Sequence, residues 1–266
     1  MSARAVRLLL IGLVWLYLGA MLLVPVVAIF AGAFRDGIGA YVRAIREPDA
    51  VAAMRLTAEA AAIAVVANTI FGLAAAWAIA RFRFPGRAAL LVLLDVPLMV
   101  SPVVSGMLFV LLFGARGFFA PLLERFGLRV IFATPGIVLA TMFVTLPYVA
   151  RELIAFMETE GHEEEDAAVS LGAGGLQLFL RITLPTIRWS LLYGVILCSA
   201  RAVGEFGAVS VVSGHIRGVT DTMTLHVEIL FNEYRTQAAF AVASLLTTVG
   251  IAATVAKHFL ETRSSR

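Results

Sequence analysis

Charged residues are scarce in this chain. Only 15% of its 266 residues are Asp, Glu, Lys or Arg, and Lys257 is the single lysine. Soluble globular domains carry about a quarter of charged residues, so this composition, which is 61% apolar, excludes an ordinary soluble domain. A nucleic-acid surface is also disfavoured, because the formal net charge is only +3. Such mild basicity fits the positive-inside bias of membrane proteins.

Groups that carry chemistry are equally scarce. Cys198 is the only cysteine, which excludes an internal disulfide. The phosphate-binding pattern G-x-x-x-x-G-K-[ST] is missing, since Ala256 precedes Lys257, so the chain is not itself a P-loop ATPase. No His or Cys pair has metal-ligand spacing, and no nucleophile–base set or HExxH stands at bilayer depth. We therefore expect a non-catalytic chain that binds no metal or cofactor.

Long apolar runs dominate the rest of the sequence. A membrane-spanning helix needs about 20 mainly apolar residues, and six runs meet this length. The predicted spans are residues 8–34, 57–80, 88–113, 130–154, 189–212 and 236–259. The first run is longer than the roughly 7–15 apolar residues of a signal peptide, so we expect an uncleaved helix. The predicted fold class is an all-α integral membrane protein with six transmembrane helices, which form one transmembrane domain over residues 1–266.

Prolines interrupt two of these runs. Pro97 and Pro102 lie in the third run, and Pro135 and Pro147 lie in the fourth. Prolines in spanning helices are tolerated where neighbouring helices satisfy the freed carbonyl groups. The third helix is therefore predicted to be bent and packed among other helices, and the fourth is predicted to be broken.

Arginine positions predict the orientation. Arg4 and Arg7 precede the first run, and three arginines lie in the 81–87 turn between the second and third runs. Basic residues beside spanning helices mark the cytoplasmic side. Both termini and the polar loop over residues 160–185 are accordingly predicted to be cytoplasmic.

That polar loop is the longest polar interruption of the apolar chain. Four acids over residues 163–166 predict a helix start, where the helix dipole favours negative charge. Ala167 and Ala168 give the helix a small face, and Gly172 follows where a positive φ would end it. A second short helix is predicted over residues 176–181, before the next membrane helix begins at Pro185. This pattern predicts a hairpin with a small tip that docks a partner protein.

The order of these residues resembles a known family. Asp166-Ala167-Ala168, Gly172 and Ile182-x-Leu184-Pro185 match the spacing of the EAA loop of binding-protein-dependent ABC importer permeases of the type I architecture. The resemblance implies that this loop contacts a separate ATPase subunit. The implied coupling residues are Glu165, Asp166, Ala167, Ala168, Gly172, Ile182, Leu184 and Pro185. One position departs from the family pattern, because Asp166 stands where the family has glutamate. Glu165 compensates in charge but not in register.

Further segments are similar to sulfate and thiosulfate permeases, namely residues 81–87, 101–106, 146–154 and 200–214. The resemblance implies a bacterial inner-membrane subunit that works with a second permease (CysT-like), a dimer of ATPase subunits (CysA-like) that use ATP and Mg, and a periplasmic binding protein for sulfate or thiosulfate. Molybdate permeases share the 204–208 segment, so a molybdate or tungstate permease is an alternative. A stand-alone secondary transporter is a weaker alternative, because inverted repeats are not visible.

Asp95, Arg201 and Glu205 are ionisable residues that fall inside apolar runs. Such residues are costly in a membrane and are functional candidates. Arg201 and Glu205 are four residues apart, so they face the same side of a helix. They either form a structural pair, which we favour, or Arg201 contributes to the path of an oxyanion. We also predict that hydroxyl groups line this path, from Ser101, Ser105, Ser210 and Ser213.

Overall fold

All regular secondary structure in the described residues is helical. The structure is a computed structural model that describes residues 3–161 and 163–264. The α-helices, in chain order, are α1 Ala3–Ala33, α2 Ile38–Arg46, α3 Pro48–Arg81, α4 Arg87–Met99, α5 Pro102–Phe113, α6 Ala120–Arg125, α7 Thr134–Glu160, α8 Glu163–Ser170, α9 Gly175–Leu178, α10 Leu184–Val203, α11 Gly207–Val212, α12 Met223–Asn232 and α13 Thr236–Ser264. A π-helical turn, Phe179–Thr183, joins α9 to α10.

Five helical segments in this part of the chain are long and apolar enough to cross a membrane, and they contain α1, α3, α7, α10 and α13. The pair α4 and α5 passes the same test as one span, but its two halves are bent by 108°. Ser101, which precedes Pro102, has an extended ψ of 133°. The residue before a proline avoids helical geometry, so the bend predicted for the third span lies at this position.

Helices α3 and α7 form the centre of the bundle. Gly72 allows their close approach, because a Cβ there would lie 3.0 Å from the backbone nitrogen of Ala150. The buried Asn68 side chain donates hydrogen bonds from Nδ2 to the Met142 carbonyl and to the Thr145 hydroxyl, each at 2.9 Å. Small residues and satisfied polar groups are the usual means by which membrane helices associate.

Apolar cores lie around this central pair. One core, towards the Arg81 end of α3, joins α3, α4, α7 and α10 through Ile79, Leu94, Leu153 and Ile187. A second core, towards the other end of α3, joins α2, α12 and α13 through side chains that include Leu230. The central pair is thereby fixed to different neighbours at its two ends.

Two predicted spans differ from the observed helices in continuity. The fourth is not broken, because α7 runs without interruption from Thr134 to Glu160. Pro135 lies in its first turn, where the missing N–H has no helical partner to lose, and Pro147 lies inside the helix and is buried. The fifth span, predicted over 189–212, is two helices, since α10 ends at Val203 and α11 begins at Gly207.

The segments predicted as connections also contain helices. α2 lies within residues 35–55, α6 within 114–129 and α12 within 213–235. None of the three exceeds ten residues, which is too short to give an apolar run of membrane length. These helices cap the bundle rather than span it.

Two surfaces remain apolar and exposed in the single chain. No residue in the most apolar window of α1 is buried, although α1 contacts α13. The third span was predicted to pack among other helices; α4 contacts α7, and α5 contacts α7 and α11, while one face of the pair stays exposed. Met99 is 83% exposed and Leu111 is 65% exposed. In a membrane these faces meet lipid or another subunit.

Candidate functional site

The 160–185 loop folds as a short helix closed by a glycine turn. Gly172 has a φ of 86°, which is the left-handed geometry that favours glycine. The Gly172 N–H donates to the Val169 carbonyl at 2.9 Å, and the Ala173 N–H donates to the Ala168 carbonyl at 3.0 Å. These two bonds form a Schellman motif, which ends α8 and turns the chain.

The tip of this hairpin is open to solvent. Ala167 is exposed and Ala168 is half-buried, while the larger side chains around them are also exposed. Leu171 is 90% exposed and Leu176 is 74% exposed. Exposed apolar side chains beside small ones form a surface that a partner protein can cover.

The returning part of the loop is held more firmly. Ile182 and Leu184 are partly buried, and Leu184 packs against the core of α3, α4, α7 and α10. Pro185 is exposed in the first turn of α10. These residues direct the chain from the loop into the bundle.

Glu165 points into the protein, whereas Asp166 is exposed. The Glu165 carboxylate lies 2.7 Å from Nε of Arg81 at the end of α3. Its other oxygen accepts a 2.7 Å hydrogen bond from the hydroxyl of Thr183. Arg81 also donates to the carbonyl of Met157 in α7, at 2.9 Å. Glu165 is therefore linked directly to α3 and to the π-helical turn, and through Arg81 to α7.

Sequence reasoning did not find Arg81 or Thr183 as partners of the loop. Arg81 was interpreted as a marker of orientation and as part of the 81–87 similarity, and Thr183 occupies the unspecified position of the I-x-L-P pattern. Their approach to Glu165 depends on how α3, α8 and the π-helical turn pack. No local pattern in the sequence signals that packing.

The bend at Ser101 and the break between α10 and α11 lie close together. Helices α5 and α11 are in close contact, because a Cβ on Gly106 would lie 2.6 Å from the carbonyl oxygen of Ala208. A Cβ on Gly207 would lie 2.8 Å from Cβ of Pro102, next to the start of α5. The first turns of α5 and α11 are thus neighbours.

The four predicted serines lie in α5 and α11 or at the ends of these helices, but they differ in how far they are buried. Ser101 is exposed, and Ser210 is half-buried and donates to the Gly207 carbonyl at 2.9 Å. Ser105 is buried and donates to the Ser101 carbonyl at 3.2 Å. Ser213 is also buried, and its hydroxyl accepts a 3.1 Å bond from the N–H of His215. Hydroxyls that bond their own backbone turns in this way serve local structure.

Arg201 and Glu205 form an ion pair across the break between α10 and α11. Nη1 of Arg201 lies 2.6 Å from Oε2 of Glu205, whose side chain is 1% exposed, while that of Arg201 is 30% exposed. Glu205 also accepts a 2.9 Å hydrogen bond from the N–H of Ala208, and its carbonyl accepts a 2.8 Å bond from Thr224 of α12. Glu205 therefore holds α11 and α12 at the break.

Asp95 is paired as well. Nε of Arg151 donates to its carboxylate at 2.6 Å, and a second guanidinium nitrogen contacts the other oxygen. This two-point contact joins α4 to α7. No cluster of three or more His, Cys, Asp or Glu side chains that could hold a metal occurs in the part of the chain that the structure describes.

A helical bundle with six potential spans and an exposed loop between two of them defines a polytopic membrane protein of the ABC importer permease fold. The fold is similar to that of a chain in the crystal structure of a bacterial alginate ABC transporter, in complex with an alginate pentasaccharide-bound periplasmic protein. The TM-score is 0.76 at 18% identity, over 98% of this chain and 93% of that chain. A second structure of a bacterial ABC transporter, involved in the import of alginate, gives a TM-score of 0.72 at 17% identity.

The family profile described as "Binding-protein-dependent transport system inner membrane component" matches residues 68–266. The chain belongs to this family. It is 47% identical to the sulfate transport system permease protein CysW of Synechococcus elongatus, over 100% of this chain and 93% of that protein. It is also 47% identical to CysW of Escherichia coli K12, over 96% of this chain and 87% of that protein. The permease protein CysT of Salmonella typhimurium is 34% identical, over 94% and 91% of the two chains.

Proposed function

We propose that this chain is a transmembrane permease subunit of an ATP-driven importer for sulfate or thiosulfate, in the bacterial inner membrane. The observation that carries the proposal is its 47% identity, over nearly its whole length, to relatives named as CysW sulfate permeases. The fold supports it, since the chain offers several spans and an exposed loop but no nucleotide-binding pattern. The energy for uptake then comes from a partner chain.

The loop over residues 160–185 is the proposed contact with that partner. Ala167, Ala168 and Gly172 form the tip that enters a cleft of the ATPase, with Asp166 exposed beside them. Ile182, Leu184 and Pro185 fix the return of the loop into α10. ATP and Mg bind the ATPase, and closure of the ATPase pair moves the loop as a rigid element.

The translocation path is proposed to run along the contact between α5 and α11. Ser101 and Ser210 are the accessible hydroxyls on this path. The other four predicted residues bind groups within the chain and maintain the helix breaks at which Ser101 and Ser210 are accessible. They are Ser105, Ser213, Arg201 and Glu205. Passage through a membrane needs sites weak enough to release the ion, which neutral hydroxyl groups provide. Selectivity is then supplied by the binding protein.

The proposed complex contains this chain, a second permease related to CysT, two ATPase subunits and a periplasmic binding protein for sulfate or thiosulfate. The arginines of the 81–87 turn, with Arg4 and Arg7, favour a cytoplasmic position for both termini and for the loop. The exposed apolar residues of α4 and α5 then face the second permease or lipid.

Two measurements test this proposal. The tagged chain, isolated from the membranes of its own host cells, should co-purify with a P-loop ATPase, which a stand-alone secondary transporter would not do. A strain that lacks the chain should lose uptake of labelled sulfate and regain it on complementation. Loss of molybdate uptake with intact sulfate uptake would instead identify a molybdate or tungstate permease.

A further inference from the structure

We infer that Glu165 is a positioning residue, which fastens the coupling helix α8 to the end of α3 through Arg81 and does not dock the ATPase itself. This inference rests on the proposed function, because it assigns a way for movement of the loop to reach the membrane helices. It also divides the adjacent acids of the loop into two groups. Glu165 faces the permease, whereas Glu163, Glu164 and Asp166 face outward.

The first observation is how little else attaches α8 to the bundle. Glu165 is the one buried residue among the eight residues of this helix, all of which the structure describes. The glycines at the two sides of the helix, Gly161 and Gly172, have φ values of 84° and 86°, and a Cβ at either would touch nothing within 4 Å. Such glycines permit rotation of the helix. Without a side-chain attachment, a displacement of α8 would be absorbed at these two positions.

The second observation is the set of groups that Glu165 binds. Each of its oxygens has a different partner, Nε of Arg81 at 2.7 Å and the hydroxyl of Thr183 at 2.7 Å. The side chains of Arg81 and Glu165 are 9% and 11% exposed. Water therefore screens this ion pair far less than a surface pair. Both oxygens are engaged, so the carboxylate cannot shift without separating buried partners.

The third observation is where the attachment leads. Arg81 is the last residue of α3, and it also donates to the Met157 carbonyl in α7. Helices α3 and α7 form the central pair of the bundle. Thr183 belongs to the π-helical turn that leads into α10, and π-helical turns occur often at functional positions. A displacement of Glu165 would therefore be transmitted to α3 through its ion pair with Arg81. It would be transmitted to α7 through the bond from Arg81 to Met157, and to α10 through Thr183.

The test uses the complete transporter, reconstituted in proteoliposomes with its binding protein. The quantities measured are labelled sulfate taken up and ATP hydrolysed. Glu165→Gln keeps the size of the side chain but removes its charge. We expect the variant complex to retain its ATPase subunits on gel filtration, while sulfate transported per ATP falls at least fivefold. The double variant Arg81→Glu/Glu165→Arg, which restores an opposite-charge pair, should recover part of this ratio.

Glu158→Gln is the matched control. Glu158 also pairs with an arginine, Arg87, at 2.6 Å, but these side chains are far more exposed than those of Glu165 and Arg81, at 48% and 37%. This substitution should leave the transport ratio within twofold of the wild type. An unchanged ratio in Glu165→Gln would overturn the inference. So would loss of the ATPase subunits from that variant, because Glu165 would then be a docking residue.

A second variant tests the inference if Glu165→Gln does not accumulate in the membrane. Thr183→Val leaves both charges in place and removes only the hydroxyl, so a stable complex is expected. Its ratio should fall by about twofold, and an unchanged ratio would contradict the inference. If the wild-type complex does not transport sulfate, the proposed substrate is wrong. The attachment is then still tested by whether the binding protein stimulates ATP hydrolysis less in the variants than in the wild type.

Discussion

Gly106 of α5 and Ala208 of α11 meet so closely that a Cβ on the glycine would lie 2.6 Å from the alanine carbonyl oxygen. Backbone contacts of this kind form only where one helix presents no side chain. Because α5 follows the bend at Ser101 and α11 follows the end of α10, this contact fixes these two positions relative to one another. The proposed path for the anion depends on that fixed arrangement.

Gly106→Val should therefore separate α5 from α11. Overpacking of a tight contact costs about 1–3 kcal/mol, so we expect a lower thermal unfolding temperature in detergent and a loss of sulfate uptake. Gly250→Val is the control, since a Cβ at Gly250 would meet nothing within 4 Å. Equal behaviour of the two variants would show that the α5–α11 contact is unimportant.

Removal of Arg201 should lower the stability of the fold, and any loss of transport should be a consequence of that lower stability. Arg201→Met leaves the buried Glu205 carboxylate without its ion partner. One-sided loss of a buried pair costs about 3–5 kcal/mol, and partial exposure of Arg201 makes the expected cost smaller. The neutral double variant Arg201→Met/Glu205→Gln should recover stability and uptake together, measured by thermal unfolding and labelled sulfate. A stable double variant without uptake would instead assign Arg201 to the anion path.

Gly172→Asp should weaken the contact with the ATPase. The left-handed backbone at this position costs a residue with a side chain about 1–2 kcal/mol, and α8 would lose its Schellman turn. We expect less ATPase to co-purify with the variant, or the same amount with little uptake. Gly174→Asp places the same charge at a φ of −73°, and it should retain most of the co-purified ATPase. Similar losses in both variants would point to the charge rather than to the turn.

The Glu47–Arg235 pair predicts a pH dependence at the opposite end of the bundle. Hydrogen bonds from Arg235 hold the pKa of Glu47 below its ordinary value of 4.5. A carboxyl group with a lowered pKa stabilises the fold above its ordinary pKa, and this contribution is lost as the pH falls through the lowered value. The pair is partly exposed, so the expected contribution is about 0.2–1 kcal/mol.

Thermal unfolding of the wild type and of Glu47→Gln measures this contribution. The wild type should be the more stable protein near neutral pH, and the difference should shrink as the pH falls below about 4.5. Glu124→Gln, which changes an exposed acid of α6, should differ little from the wild type at any pH. A difference that persists in acid would mean that the carboxylate charge is not its source.

Local patterns predicted the spans and the loop, but not where long helices break. The bend at Ser101 could be predicted because Pro102 acts on its immediate neighbour. The break after Val203 could not be predicted in the same way. Glu205 lies in this break, where its side chain accepts a bond from the N–H of Ala208 and its carbonyl accepts one from Thr224 of α12. The contact with Ala208 is local, but the contact with Thr224 exists only after α12 has packed against the break.

The acids of the loop show the same limit. The sequence pattern placed Asp166 at the family's glutamate position, and it could not tell which neighbouring acid faces inward. Burial of Glu165 follows from the positions of Arg81 and Thr183, which come from other elements. The sequence also could not tell which of the predicted serines are accessible, because burial of Ser105 and Ser213 follows from how their helices pack.

Helix α1 has a consequence for the biogenesis of the protein. No residue in its most apolar window is buried, and this window is long enough for α1 to enter the bilayer before any other described helix has been made. Its main neighbour, α13, is the last described helix to be synthesised, and their contact brings the ring of Phe240 against Gly32. Helix α1 therefore lies in the lipid without this neighbour until α13 has been made. Until α13 arrives, the nascent chain exposes a binding surface that a membrane insertase or chaperone can occupy.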